Sequence, residues 1–253
     1  MLLRFPTSVS EAQECLADGA VPIGGATLVW AAWQRDGFPV RAFSLRELPR
    51  ANVIGPTDLG AAVVLHRIDE RVPEAMHRAA ASIGTGAVRR TATVGGNIVG
   101  SSLRCLLPAA LVLGARATVL ESDGVHETDL AEVVAKRPLL LGLHWTAPLV
   151  SAHRKQPGAE GGGPPLVVAA AVHADDRGGF LLRVAVRDGY DVLADSTLCD
   201  ADADADAGTS ASAGAERALR ALRGTALSHL PATAWETVAH QVTGLLGRLA
   251  DPR

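Results

Sequence analysis

The sequence predicts an α+β protein made of two parts, with the boundary near residue 150. The chain has 253 residues, of which 48% are hydrophobic, and this is enough for one large domain or two small ones with real cores. Helical and strand patterns follow one another without regular alternation as far as residue 150. The composition then changes, because residues 153–165 hold four glycines and three prolines, which is typical of a loop or linker.

Charge and composition exclude several kinds of partner and site. The net charge of −3 and the aromatic content of 4% indicate neither a nucleic-acid partner nor an acidic membrane surface. The three cysteines lie far apart, which excludes an iron–sulfur or structural zinc site formed by this chain alone. The histidines are scattered as well, so we expect no metal site in this chain. Because no signal-like or membrane-spanning apolar stretch is found, we expect a soluble cytoplasmic protein with no membrane partner.

The first 150 residues contain most of the predicted elements. Ser8 followed three residues later by Glu11 is a capping box, which predicts a helix as far as about Leu16. A short buried strand at 20–23 leads into a glycine pair, and the apolar segment 27–34 predicts a helix that is largely covered. Further along we expect strands with intervening turns at 40–48 and 52–65, the second broken at Gly55-Pro56. A helix at 70–83, a glycine-rich loop at 93–102, a helix at 106–113, and strands at 115–121 and 139–145 follow. The helix at 70–83 carries one apolar stripe: Val72, Ala75, Met76, Ala79, Ala80 and Ile83.

The second predicted part, residues 151–253, is a small three-stranded sheet with helices. Its clearest feature is a β-hairpin with strands at 166–172 and 180–186. Helices are predicted at 215–223 and 235–249. The alternating Ala/Asp segment and the Gly/Ser/Thr/Ala segment after it, residues 200–213, predict a disordered loop. A calcium loop is disfavoured there, because alanine occupies the positions where such a loop needs its glycine and its bidentate acid.

Two glycine pairs are the most informative features for function. In residues 23–27, Ile-Gly-Gly-Ala-Thr, the pair separates a predicted strand from a predicted helix. Because glycine has no Cβ, a ligand can approach the backbone closely, and free N–H groups at such a turn suit a phosphate. Residues 93–97, Thr-Val-Gly-Gly-Asn, repeat the arrangement with polar side chains at Thr93 and Asn97. Neither segment is a GxGxxG fingerprint or a P-loop, so a Rossmann or Walker interpretation has no support.

Taken together and in this order, these segments resemble the FAD-binding subunit of the molybdenum hydroxylases. The residues that carry the resemblance are Phe5-Pro6, the segment 22–28, Arg89 with the segment 93–98, and the Leu-Leu-Pro-Ala segment 106–109. The family includes the medium subunit of carbon monoxide dehydrogenase and the flavin domain of xanthine dehydrogenase. The resemblance covers about residues 1–150 and continues more faintly to the end of the chain.

The resemblance implies a fold, a cofactor and a set of binding residues. It implies a two-lobed FAD-binding domain of the molybdopterin dehydrogenase type at 1–150, followed by a shortened C-terminal domain at 151–253. In the family, both glycine loops hold FAD, mainly through its diphosphate and ribityl chain. Carried over residue by residue, the cofactor-binding positions are Ile23, Gly24, Gly25, Ala26, Thr27, Leu28, Ile83, Thr93, Gly95, Gly96, Asn97, Leu140 and Lys155. Arg89 and Arg90 are candidates to reach a phosphate of FAD, with one of them expected to be only exposed.

The chain departs from the family pattern after the second glycine loop. The family usually carries an aspartate near the flavin there, whereas this chain has Cys105 in a segment that is one residue shorter. A carboxylate and a thiol differ by a charge and by hydrogen-bonding capacity, so we expect altered flavin contacts and an altered redox potential. Arg104 is a further cofactor-binding candidate, because it could supply a positive charge instead. Its alternative role is that of a solvated loop arginine.

Three functions remain open at the level of sequence. In the first, the chain is an FAD-dependent oxidoreductase subunit that takes electrons from the iron–sulfur clusters of a partner and passes them to an acceptor. The molybdenum cofactor and the clusters then lie on other chains. In the second, it is a stand-alone flavoenzyme that acts on a small molecule. In the third, the flavin is lost and the fold serves as a binding or scaffold protein.

Overall fold

The computed structural model describes residues 1–157, 163–199 and 211–250, which form two compact units whose segments alternate along the chain. The first unit consists of Met1–Val72, Ala80–Leu106 and Ala115–Trp145. The second consists of Pro73–Ala79, Leu107–Gly114 and the described residues from Thr146 onward. Two segments that precede residue 150 therefore belong to the second unit. The division into functional domains at residue 150 stays a prediction.

The first unit begins with a small parallel sheet. Its strands are β1 (Leu2–Arg4), β2 (Val21–Pro22) and β3 (Arg41–Phe43), in the order β1-β3-β2. Helix α1 (Val9–Ala17) confirms Ser8 as the N-cap, because the Ser8 hydroxyl oxygen accepts a hydrogen bond from the Glu11 amide at 3.2 Å. The Glu11 carboxylate in turn accepts from the Thr7 amide at 2.8 Å, one residue before the N-cap. The core around α1 and β3 contains Ala12, Cys15, Phe43, Leu45 and Leu48.

The second sheet of the first unit is antiparallel. Its order is β4-β7-β5-β6, with β4 (Asp58–Gly60), β5 (Arg116–Glu121), β6 (Gly124–Thr128) and β7 (Leu139–His144). The helices of this part are α4 (Gly86–Thr91) and α6 (Leu130–Lys136). The strands expected at 115–121 and 139–145 are confirmed. The segments 40–48 and 52–65, where we expected strands with intervening turns, contain only the short strands β3 and β4. A 3₁₀ turn follows β3 at Leu45–Glu47, and Pro56, which has no amide to donate, precedes β4.

Two further expectations for the first unit are corrected. Helix α2 (Trp30–Asp36) begins three residues later than predicted and has no buried residue, although we expected it to be covered. The exposed fraction of Trp30 is 50%, because its ring packs against that of Phe38 just beyond the helix instead of entering a core. The segment predicted as a glycine-rich loop at 93–102 contains a π-helical turn, Gly96–Gly100.

The second unit is built on a four-stranded antiparallel sheet. Its order is β11-β10-β9-β8, with β8 (Val150–Lys155), β9 (Val167–Ala174), β10 (Phe180–Asp188) and β11 (Asp191–Cys199). The hairpin of β9 and β10 confirms the prediction. The prediction of three strands is wrong, because the sheet has four: β11 lies at its edge and contains three consecutive polar residues, 195–197, so the segment was not recognised as a strand.

Helices complete the second unit. They are α3 (Glu74–Ala81), most of which belongs to this unit, α5 (Leu107–Val112), α7 (Ala211–Leu222) and α8 (Ala232–Ala250). The apolar stripe predicted on α3 is buried. One face of the sheet packs on α7 and α8 through a core that includes Val184, Leu222 and Val238. Of the loop predicted at 200–213, residues 200–210 lie outside the described residues, whereas residues 211–213 begin α7, so the prediction is wrong at that end.

The α+β fold class is confirmed by this mixture of sheets and helices. Among the described helices, none combines the length and the apolar character needed to cross a membrane.

Candidate functional site

The first unit contains a cavity of about 740 Å³, within the range typical of small-molecule sites. Its walls come from segments that are far apart in sequence: the turn after β2, the residues after β3, the end of α4 with the second glycine loop, and the start of β7. All but two of the predicted cofactor-binding residues line it: Ile23, Gly24, Gly25, Ala26, Thr27, Leu28, Ile83, Thr93, Gly95, Gly96, Asn97 and Leu140.

The two predicted residues that do not line the cavity are Arg104 and Lys155. Arg104 lies in the loop before α5 and has a left-handed backbone, with φ of 39°. Lys155 ends β8 in the second unit. Cys105, which stands where the family has an acid, is buried and does not line the cavity either. A role for these three residues in binding or tuning the flavin stays a prediction.

The first glycine loop lines the cavity and contains backbone amides that form no hydrogen bond within the described part of the chain. The amides of five successive residues, Gly24 to Leu28, donate no hydrogen bond to any residue that the structure describes. On either side the pattern changes, because the Ile23 amide donates to the Phe43 carbonyl at 2.8 Å and the Val29 amide to the Ala26 carbonyl at 3.2 Å. Successive free N–H groups in such a turn form a concave site for an anion.

The backbone of this loop is strained at one residue. Ala26 has φ of 56°, in the left-handed region that a residue with a Cβ seldom adopts. Helix α2 begins only at Trp30, so the free amides belong to the turn and not to the first turn of the helix. The sequence analysis expected free N–H groups in this turn, and because the helix begins three residues later than predicted, the donors belong to the turn alone.

The glycines of the first loop are explained by contact with the second loop. A Cβ on Gly25 would overlap the backbone carbonyl of Thr91, and a Cβ on Gly24 would overlap the Thr93 hydroxyl. The sequence predicted that the missing side chains make room for a ligand. The structure shows that Gly25 makes room for the Thr91 backbone and Gly24 for the Thr93 side chain, and these residues all line the cavity.

The second glycine loop differs from the first in its hydrogen bonds. All of its central amides donate within the chain: Val94, Gly95, Gly96 and Asn97. Thr93 accepts two of these bonds, through its hydroxyl oxygen from Gly96 at 3.1 Å and through its carbonyl from Asn97 at 2.9 Å. The Asn97 side-chain oxygen accepts from the Leu106 amide at 2.9 Å. This loop is therefore a wall of the cavity, and the expectation that it repeats the free amides of the first loop is wrong.

The charged side chains that line the cavity are mostly cationic. They are four arginines and one glutamate: Arg46, Arg67, Arg90, Arg137 and Glu47. Arg46 and Glu47 form an ion pair at 3.4 Å. The side chains of the other three arginines form no hydrogen bond or ion pair with any residue in the described part of the chain. The uncompensated charge favours an anionic ligand.

Only one of the arginines that line the cavity was predicted from the sequence. The sequence analysis named Arg89 and Arg90 together, and the structure separates them: Arg89 donates to the carbonyls of Ile83 and Gly84, both at 2.9 Å, whereas Arg90 lines the cavity. Arg67 and Arg137 were not predicted to line the cavity. No local motif identifies them, because they lie near the glycine loops only in the folded chain.

Comparison with known proteins identifies the family. The family model described as the FAD binding domain in molybdopterin dehydrogenase matches residues 3–140. The chain belongs to this family. Its cofactor is accordingly FAD, and the family is one of oxidoreductases. Among curated proteins, none matches the chain.

Solved structures show the same fold as this FAD binding domain protein. Quinoline 2-oxidoreductase from Pseudomonas putida 86 matches with a TM-score of 0.62 and 18% identity, over 98% of this chain and 94% of that one. The Cu,Mo-CO dehydrogenase in its cyanide-inactivated form matches with a TM-score of 0.67 and 16% identity, over 98% and 96%. The reconstituted CO dehydrogenase from Oligotropha carboxidovorans gives the same values, 0.67, 16%, 98% and 96%. The two-lobed fold expected from the resemblance is thereby confirmed.

The cavity of the FAD binding domain fits the cofactor of its family. FAD carries a diphosphate, and the five free amides of residues 24–28 supply donors for it. The three unpaired arginines supply compensating charge, and apolar residues such as Ile83 and Leu140 line the same cavity. The donor set, the charge and the volume are each those that an anionic dinucleotide needs.

Proposed function

We propose that this chain is the flavin subunit of a molybdenum hydroxylase, and that it passes electrons between the iron–sulfur centres of a partner chain and an acceptor. The observation that carries the proposal is the run of free amides at residues 24–28 in a cationic cavity. Bound there, FAD supplies the redox chemistry, because it exchanges electrons with both one-electron and two-electron partners.

The roles of the chain's own residues follow from their chemistry. The amides of residues 24–28 hold the diphosphate, and the contact of Gly25 with Thr91 keeps this turn in place. Ile83 and Leu140 provide apolar surface in the cavity, while Thr93 orders the second loop. In this proposal residues 1–150 form the FAD-binding domain and residues 151–253 a C-terminal domain.

A role as a subunit is supported by two observations. The cysteines of this chain, Cys15, Cys105 and Cys199, are far apart in sequence, so clusters have to come from another chain. The chain also matches most of the length of solved chains from enzymes whose names include a molybdenum-containing CO dehydrogenase. We therefore propose a molybdenum-cofactor subunit and an iron–sulfur subunit as partners, with a small molecule or another protein as the electron acceptor.

The proposal is tested in two steps with the full chain. First, the purified protein is denatured and the released flavin is identified by chromatography; we expect FAD, in about one equivalent per chain. Recovery of FMN, or of no flavin even after incubation with FAD, contradicts the proposal.

The second step separates a subunit from a stand-alone enzyme. If genes for molybdenum and iron–sulfur subunits lie beside the gene of this chain, co-expression with them is expected to give a complex in which the substrate of the molybdenum subunit reduces the flavin. Rapid reduction of the flavin by a small substrate in the isolated chain would support the stand-alone flavoenzyme instead.

A further inference from the structure

Two cavity-lining arginines lie on neighbouring elements of the first unit. Arg67 ends a 3₁₀ turn, Leu65–Arg67, and Arg90 lies in α4. The backbone joins these elements, because the Leu65 amide donates to the Ala92 carbonyl at 2.9 Å and Val64 pairs with Thr93 in an antiparallel bridge. Both arginines therefore belong to the same wall of the cavity.

Two other arginines nearby in the sequence, Arg71 and Arg89, have side chains with hydrogen-bond or ion-pair partners. Arg71 forms an ion pair with Asp69 at 2.8 Å, and Arg89 donates to two backbone carbonyls. Arg67 and Arg90 are exposed at the cavity, and their side chains form no hydrogen bond or ion pair with any described residue. Two like charges on adjoining elements repel each other, so their placement is unfavourable until an anion binds between them.

Arg90 is also adjacent in sequence to a residue that contacts the turn bearing the free amides. Arg90 directly precedes Thr91, and the Thr91 carbonyl lies against Gly25 in the amide-bearing turn. A guanidinium group that starts one residue from this contact can reach the anion held by the amides. Arginine is suited to this task, because its planar group donates two parallel hydrogen bonds to phosphate oxygens.

We propose that Arg67 and Arg90 bind the diphosphate of FAD together with the amides of residues 24–28, and that this charge makes the site specific for a flavin that carries phosphate. The inference rests on the proposed function, since it assigns ligand contacts within the same cavity. It goes beyond that function by making affinity depend on two side chains that the glycine motifs do not include.

The test is titration of the flavin-free full chain with FAD and with riboflavin, which has the same ring system but no phosphate. The variant is Arg67→Gln combined with Arg90→Gln, and binding is followed by flavin fluorescence. We expect its affinity for FAD to fall at least about tenfold at low salt, about 1.4 kcal/mol, because the charge-assisted hydrogen bonds of two guanidinium groups to phosphate are lost. Its affinity for riboflavin is expected to equal that of the wild type.

Salt dependence provides a second readout. Raising NaCl from about 0.05 M to about 0.5 M is expected to weaken FAD binding to the wild type more than to the double variant, because salt screens exposed charges. Arg116→Gln is the matched control, because Arg116 is exposed in the same unit and does not line the cavity. The combination of Arg67→Lys and Arg90→Lys keeps the charge and is expected to restore part of the affinity.

The outcomes separate this inference from the proposed function. If the wild type binds FAD and the double variant binds it equally well, the inference is wrong while the function stands. Equal weakening for FAD and riboflavin, or a loss matched by Arg116→Gln, also overturns it. If the wild type binds no FAD, the proposed function fails and the inference fails with it.

Discussion

The Cα of Gly25 lies directly against the backbone carbonyl of Thr91, so that no side chain fits between the two glycine loops. This contact joins the turn that bears the free amides to the wall that bears Arg90. The geometry of the cavity therefore depends on the packing of two backbone segments that are more than sixty residues apart in sequence. Four predictions follow from the contacts around it and from one buried group elsewhere.

Replacement of Gly25 by alanine is expected to destabilise the flavin-free protein. The added Cβ would overlap the Thr91 carbonyl, and relief requires a backbone shift that costs about 1–3 kcal/mol. Urea unfolding measures the change. Gly96→Ala is the control, because a Cβ there meets only the Thr93 hydroxyl oxygen, at 3.2 Å. Unfolding of Gly25→Ala at the wild-type urea concentration would show that the two loops are not in contact.

Replacement of Ala26 by glycine is expected to stabilise the flavin-free protein. Ala26 has a left-handed backbone, and glycine adopts this conformation without steric strain. Relief of about 1–2 kcal/mol of strain exceeds the entropic cost of glycine, about 0.5–1 kcal/mol, so a net gain of up to about 1 kcal/mol is expected. Thermal unfolding of the two proteins tests this, with FAD affinity retained. A lower melting temperature for Ala26→Gly would contradict the strained geometry.

Inorganic pyrophosphate is expected to compete with FAD for the flavin-free chain. In the proposed site the amides of residues 24–28 and the cationic wall bind the diphosphate itself, so the group attached to it does not matter. Competition is measured by displacement of FAD at constant ionic strength, with sulfate as the control for general screening. If pyrophosphate displaces no more FAD than sulfate does, the amide-bearing turn is not the diphosphate site.

The free energy of unfolding is expected to decrease as the pH is lowered from about 6.5 to about 4, because of His153. Burial, followed by the positive charges of Lys155, Arg187 and Arg78, lowers the pKa of His153 from 6.5 to about 4. In this window the unfolded chain binds a proton that the folded chain does not, so unfolding becomes easier as the pH falls, by up to about 3 kcal/mol.

The variant His153→Gln removes this titration. Between pH 7 and about pH 4 its stability is expected to fall less than that of the wild type, measured by urea unfolding across this range. His66→Gln is the control, since His66 is exposed. Parallel pH profiles for His153→Gln and the wild type would show that the imidazole is solvated in the folded state.

Features that depend on neighbouring residues could be predicted from the sequence. The capping box at Ser8 and Glu11, the apolar stripe of α3 and the hairpin of β9 and β10 depend on spacing within a few residues. The glycine loops were recognised for the same reason, since their residues are contiguous. The family resemblance then assigned FAD, which the comparison with the family confirms.

Other features were decided only by the tertiary structure. The two glycine loops are similar in sequence but differ in their backbone hydrogen bonds. The distant carbonyls of Ala61 and Val63 accept hydrogen bonds from two amides of the second loop, whereas the amides of residues 24–28 donate to no described residue. The sequence also does not show which arginine side chains form ion pairs or hydrogen bonds. Arg67 and Arg90 line the same cavity because separate segments of the chain fold together. Hydrogen-bond saturation and charge compensation depend on atoms brought together from distant positions in the chain. Local patterns therefore determine where helices, turns and loops form, whereas long-range packing determines which of their polar groups remain available for a ligand.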